Sequence, residues 1–147
     1  MPKSLIFYYS RTGNTRLMAE AVAEGIKSIQ GVEAQLKTRV DARELSGFDA
    51  VIVGAPTYEH GITRNIAQMF EEAAAKNVNL EGKVGTAFGS YGWSAEAPPL
   101  VLEIMNNKFR MDTLEPPLLV KYAPDQSDLD ECRQLGKKIA EKIRTKT

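Results

Sequence analysis

Residues 5–15 read Leu5-Ile6-Phe7-Tyr8-Tyr9-Ser10-Arg11-Thr12-Gly13-Asn14-Thr15. The first five are apolar or aromatic with no polar alternation, which predicts a strand buried on both faces. Ser10 to Thr15 then supply small, hydroxyl-bearing and turn-forming residues. From about Asn14 to Gln30 apolar residues recur at helical spacing. A buried strand that passes through a short polar loop into a helix is the opening unit of a parallel sheet with crossover helices.

The same alternation runs outward along the chain. Val32 to Thr38 reads as an alternating strand, and Ala50-Val51-Ile52-Val53, Val84-Gly85-Thr86-Ala87-Phe88 and Leu118-Leu119-Val120 are further apolar runs. Ile66, Ala67, Met69, Phe70, Ala73 and Ala74 recur at helical spacing, and Pro98-Pro99 sits in the first turn of a helix expected after Ser94. Pro116-Pro117 precedes the last strand. The final helix has Ser127 as expected N-cap, acidic residues in its first turn, Leu129, Cys132, Leu135, Ile139 and Ile143 down one face, and basic residues at its end. These elements predict a three-layer α/β fold with a doubly wound parallel sheet, laid out as one domain over residues 1–147.

Composition narrows the function. Of the 147 residues, 19 are Lys or Arg and 19 Asp or Glu, so no charge excess marks nucleic acid or a membrane as partner. A single cysteine, Cys132, cannot form an internal disulfide and reads as core. A single histidine, His60, cannot build a Cys/His zinc site and reads as a turn residue, with a redox-linked proton sensor as its alternative. Met1-Pro2-Lys3 leads straight into the first strand, and no apolar run approaches the roughly 20 residues of a spanning helix. The protein is therefore expected to be soluble, cytoplasmic and monomeric.

In an open parallel sheet the ligand lies beyond the carboxyl ends of the strands, where strand order reverses. Three loops fall there. Ser10, Thr12 and Thr15 bring three hydroxyls, with Asn14 and free N–H groups of a helix start, around one point, which suits an anion; the alternative is a merely capped turn. The loop lacks the lysine and spacing of a triphosphate-binding loop, so a terminal phosphate is the better fit. Gly54-Ala55-Pro56-Thr57-Tyr58-Glu59-His60-Gly61 and Gly89-Ser90-Tyr91-Gly92-Trp93-Ser94 each place a large aromatic outside any apolar period. Tyr58 and Trp93 together suit a planar heteroaromatic ring.

Tyr8 to Thr15 and Phe88 to Trp93 resemble the phosphate loop and the second flavin loop of the short-chain flavodoxins, in particular the clostridial type. The flavodoxin domain of the diiron A-type flavoproteins is also similar, and the resemblance covers the whole chain. It implies a flavodoxin-like, five-stranded sheet of order 2-1-3-4-5 and FMN as cofactor. It further implies that Ser10, Thr12, Asn14 and Thr15 hold the phosphate with backbone N–H groups of Arg11 and Gly13. Pro56 and Thr57 would touch the ribityl chain or the ring, Tyr58 and Trp93 would flank it, and Ser90, Tyr91 and Gly92 would close its pyrimidine edge. Glu59 falls in the same loop. Where the family has a glycine beside the flavin N5, this chain has Tyr58-Glu59-His60 with Gly61 displaced, so the peptide turn that accompanies flavin reduction is expected to be impaired. The family's usual acidity is also missing.

The residues offer no general base, nucleophile or metal site of their own, so the chemistry falls to the cofactor. The reading is a low-potential electron carrier that shuttles electrons between redox partner proteins, a reductase and an electron acceptor, rather than a substrate-converting enzyme. The alternative is an NAD(P)H-dependent quinone or flavin reductase of the flavodoxin-like superfamily.

Overall fold

The computed structural model describes residues 1–57 and 61–146. Strand β1 (Lys3–Tyr8) leads through the hydroxyl loop into α1 (Asn14–Lys27), then β2 (Glu33–Lys37) and β3 (Ala50–Gly54). Next come α2 (Arg64–Ala75), β4 (Val84–Tyr91) and α3 (Ala97–Glu103), which widens into a π turn over Ile104–Lys108. Two short strands, β5 (Asp112–Thr113) and β6 (Leu118–Lys121), precede the last helix, α4 (Gln126–Lys146). All pairings are parallel, in the order β2-β1-β3-β4-β5, with β6 also on β4. Strand order therefore reverses between β1 and β3, as the family resemblance implied.

Side-chain alternation along the central strands divides the core into two layers. Leu5, Phe7, Val51, Val53 and Ala87 face α2 and α3. Ile6, Ala50, Ile52, Val84, Phe88 and Val120 face α1 and α4, where Met18, Val22, Cys132 and Ile139 meet them. Strands that carry apolar residues on both faces are what a sheet covered on both sides requires. Helices α1 and α4 approach so closely that a Cβ at Gly25 would collide with the Arg133 carbonyl oxygen and one at Gly136 with that of Val22.

Several boundaries differ from the sequence expectation. Helix α1 stops at Lys27 rather than Gln30: Ser28 Oγ donates to the Gly25 carbonyl (2.7 Å), and Gly31 turns the chain at φ +87°. The fifth strand position is divided in two. β5 pairs with Val84 and Gly85, and β6 pairs with Phe88 to Tyr91. Between them lie Pro116 and Pro117, which have no N–H to give a ladder. Leu119, read as buried, is 38% exposed because this position is the sheet edge. The N-cap of α4 is Asp125, not Ser127. Asp125 Oδ1 accepts from Asp128 N–H (2.8 Å), Asp128 Oδ2 accepts from Asp125 N–H (2.9 Å), and the Asp125 carbonyl accepts the first helical N–H, from Leu129. A reciprocal pair satisfies two orphan groups where a lone serine would satisfy one.

Candidate cofactor site

Ladder bonds carry on past the strand ends and fix the loops there. Tyr9 N–H donates to the Gly54 carbonyl (3.1 Å), Ala55 N–H to that of Phe88 (2.8 Å) and Tyr122 N–H to that of Tyr91 (2.7 Å). In the first loop the Ser10 hydroxyl accepts N–H bonds from Gly13 (3.1 Å) and Arg16 (3.2 Å), which curls the chain around it and leaves its own O–H to donate elsewhere. Gly13, at φ +94°, is the N-cap of α1, a backbone conformation easy for glycine and costly for other residues. It offers no capping side chain, and the first turn of α1 carries no acidic residue. The positive end of a 14-residue helix thus faces the loop with no acidic residue in its own first turn to neutralise it.

Beside it opens a cleft of about 220 Å3, walled by Thr12, Asn14, Thr15, Pro56, Thr57, Ser90, Tyr91, Gly92 and Tyr122. Thr15 is 2% exposed, and its Oγ1 accepts the Ser90 N–H at 3.4 Å, which ties the first loop to the third. Thr57 Oγ1 accepts the Ala97 N–H (3.0 Å), tying the second loop to α3. A Cβ at Gly89 would collide with the Ala55 carbonyl oxygen, so the second and third loops meet only because this residue has no side chain.

Eight of the predicted site residues line this cleft together. Ser10, Arg11 and Gly13 belong to the same loop without walling the cleft, and Arg11 is exposed. Trp93 follows Gly92 but is 92% exposed and does not line the cleft. The expectations for Tyr58, Glu59 and His60 fall on residues outside those described. Among the described residues, no three His, Cys, Asp or Glu side chains gather as a metal site. Cys132 is buried in the α1/α4 layer, where burial, with Asp128 and Glu131 nearby, pushes its thiol up to about 12. It is core, as read.

Sequence reasoning missed Tyr122. It is 62% exposed and sits at φ +61°, held by its N–H bond to Tyr91 and by Ser90 Oγ, which donates to the Tyr122 carbonyl (2.7 Å). Its ring lies against Gly92, 3.4 Å from where a Cβ would be. The rule that ligands lie beyond strand ends applies equally to Lys121-Tyr122-Ala123 after the last apolar run, and would have found it.

A phosphate fits the observed donors: three residues with hydrogen-bonding side chains at a helix start whose N-cap glycine supplies no capping side chain, one of them buried. An apolar and aromatic wall of Pro56, Tyr91 and Tyr122 continues from it. A doubly wound parallel sheet with such a cleft at its reversal point defines the class of α/β proteins that hold a phosphorylated cofactor there. The chain belongs to the flavodoxin family, whose profile matches residues 6–136.

The chain is 39% identical to a structurally characterised flavodoxin from the domain Archaea, covering 97% of this chain and 99% of that one with a TM-score of 0.88. It is 35% identical over 146 residues to the type A flavoprotein fprA of Rhodobacter capsulatus, covering 95% of this chain and 33% of that protein. The anaerobic nitric oxide reductase flavorubredoxin of Pectobacterium atrosepticum is 33% identical over 142 residues, 92% of this chain and 27% of that protein. The chain thus spans about a third or less of the length of these two relatives.

Proposed function

We propose that the protein works as one FMN-binding unit that carries electrons between redox partner proteins. The observation that carries this reading is the meeting of the phosphate loop with Ser90, Tyr91, Gly92 and Tyr122 in one cleft at the switch between β1 and β3. Membership of the flavodoxin family makes FMN the cofactor, and bound FMN supplies the electron chemistry.

The chain's own residues bind and orient it. Thr12, Asn14 and Thr15, with the N–H groups at the start of α1, would hold the phosphate, and the Ser10 O–H is free to donate toward it. Pro56 and Thr57 would border the ribityl chain. Tyr91 and Gly92 would take the ring edge, and Tyr122 would limit water on one side. Trp93 and Tyr58 complete the set that the family resemblance implies.

The test is to release the cofactor from the purified protein and identify it by mass. FMN at one per chain is expected. Recovery of FAD, or a colourless protein that takes up no added FMN, overturns the reading. Steady-state oxidation of NADH or NADPH with a quinone separates a carrier, which shows little, from a reductase, which turns over.

A further inference from the structure

Just past the end of β6 the chain bends in a way that its residue types do not favour. Tyr122 sits at φ +61°, in the left-handed region that glycine and asparagine enter readily and a bulky aromatic residue enters only at a cost. Both of its backbone groups are held there. Its N–H donates to the Tyr91 carbonyl (2.7 Å), and its own carbonyl accepts from Ser90 Oγ (2.7 Å). Ser90 is 8% exposed and also gives its N–H to Thr15 Oγ1 (3.4 Å), so one buried serine joins the phosphate loop to this bend.

None of these bonds uses the tyrosine side chain. Packing alone gives little reason for an aromatic ring either, since the residue is 62% exposed. What the bend achieves is to set the ring in the wall of the cofactor cleft, against Gly92. A costly backbone conformation that its surroundings enforce at a ligand cleft points to a use for the side chain it presents. The ring also carries a charge with it. Lys121 Nζ lies 5.5 Å from the ring centroid, within cation–π reach. The next carboxylates along the chain, Asp125 and Asp128, are taken up in capping α4.

We propose that Tyr122 is a flavin-contacting residue whose ring holds the Lys121 ammonium beside the cofactor, and that this pair favours reduced over oxidised FMN. The proposal rests on the FMN reading of the cleft and adds to it the residues that shift the balance between the two redox forms. Full reduction takes up two electrons and one proton, so the reduced ring carries one more negative charge than the oxidised ring. A cation one side chain away stabilises that charge, and the attraction is screened by salt. The cost of the bend is thus met at the site where the ring is used.

Tyr122→Asn keeps a residue that accepts the left-handed bend and removes the ring. The Tm of the apoprotein should hold or rise by up to about 3 °C, because strain is relieved and little packing is lost. The Kd for oxidised FMN should rise about fivefold or more, and Tyr122→Phe, which keeps the ring, should restore most of the affinity. A tyrosine with a merely structural role gives the reverse, a lowered Tm with FMN affinity unaltered in the folded variant, and that result overturns the proposal. Lys121→Gln tests the charge. Equilibration of the FMN-loaded protein with a reference dye under dithionite, without oxygen, gives the ratio of the Kd values for oxidised and reduced FMN. At roughly 20 mM salt the substitution should weaken reduced FMN about threefold more than oxidised FMN, and at roughly 500 mM the difference should nearly vanish. An unaltered ratio at low salt overturns the proposal. Uptake of FMN that the variants leave unchanged refutes only the roles of Tyr122 and Lys121, whereas a natural protein that takes up no FMN refutes the FMN reading and this proposal with it.

Discussion

Replacing Thr15 by valine keeps the shape of a side chain that is 2% exposed and removes only its hydroxyl. Two bonds are at stake. One is the hydrogen bond proposed from this hydroxyl to the FMN phosphate, a charged acceptor, which would be worth about 1.5 to 3 kcal/mol. The other is the bond from Ser90 N–H, which at 3.4 Å is long and near the weak end of its kind. The first loss converts to roughly a 10- to 150-fold rise in the Kd for FMN. Riboflavin, which has no phosphate, feels only the loosened tie between the loops, and its Kd should rise less than about threefold, equivalent to under about 0.7 kcal/mol. The assay is titration of the apoprotein with each flavin, followed by the quenching of flavin fluorescence. Equal losses for the two ligands would place the phosphate away from Thr15 and refute the reasoning.

The remaining expectations concern the loop aromatic, the helix pair and the buried thiol. Trp93 is the only tryptophan and is 92% exposed, so apoprotein emission should be solvent-like and open to acrylamide; if the ring stacks on FMN, adding FMN quenches it and shields it, and unchanged emission places it outside the site. Gly136→Ala puts a methyl group against the Val22 carbonyl oxygen and should destabilise by about 3 kcal/mol, seen as a Tm lowered by on the order of 10 °C, with FMN affinity in the folded protein unaltered. An unaffected Tm would mean that α1 and α4 can part freely. With its thiol pushed up to about 12, Cys132 stays protonated in the fold while an unfolded thiol ionises near its ordinary value. Stability therefore falls as pH rises above about 9, and Cys132→Ser or Ala should remove that slope. Iodoacetamide should label Cys132 only on unfolding, and labelling at the rate of a free thiol in the native protein would contradict its burial.

The parts of the fold legible in the sequence are those that many residues specify together. Ala50 to Val53 has no polar interruption and Val84 to Phe88 has only Thr86, whose buried hydroxyl donates to the Leu114 carbonyl; a strand covered on both faces accounts for both runs. What escaped rests on one or two residues. β5 is the dipeptide Asp112–Thr113, too short and too polar to show a period; it pairs because the neighbouring β4 offers Val84 and Gly85. Gly25 and Gly136 look like mere weaknesses in helices until the two axes are seen to approach, because a pattern within one helix holds no information about its neighbour's backbone. In the site, Thr12, Asn14, Thr15, Ser90 and Gly92 were legible because hydroxyls and glycines clustered after strand ends. Tyr122 was not legible by that signal because Lys121-Tyr122-Ala123 carries no cluster of hydroxyls or glycines, and the exposure of Trp93 depends on a loop path that residue types do not encode.

The division of the fifth strand bears on how the molecule behaves in a crowd. A sheet of this kind ends in two open edges, each a row of unmet backbone groups that could template growth into fibrils. On one side the ladder stops between Thr113 and Leu118, where Pro116 and Pro117 deny an incoming strand its donors. On the other, β2 is only five residues long and begins and ends on charges, Glu33 and Lys37. Neither edge offers an uninterrupted apolar template, so the molecule is protected from joining its own kind edge to edge.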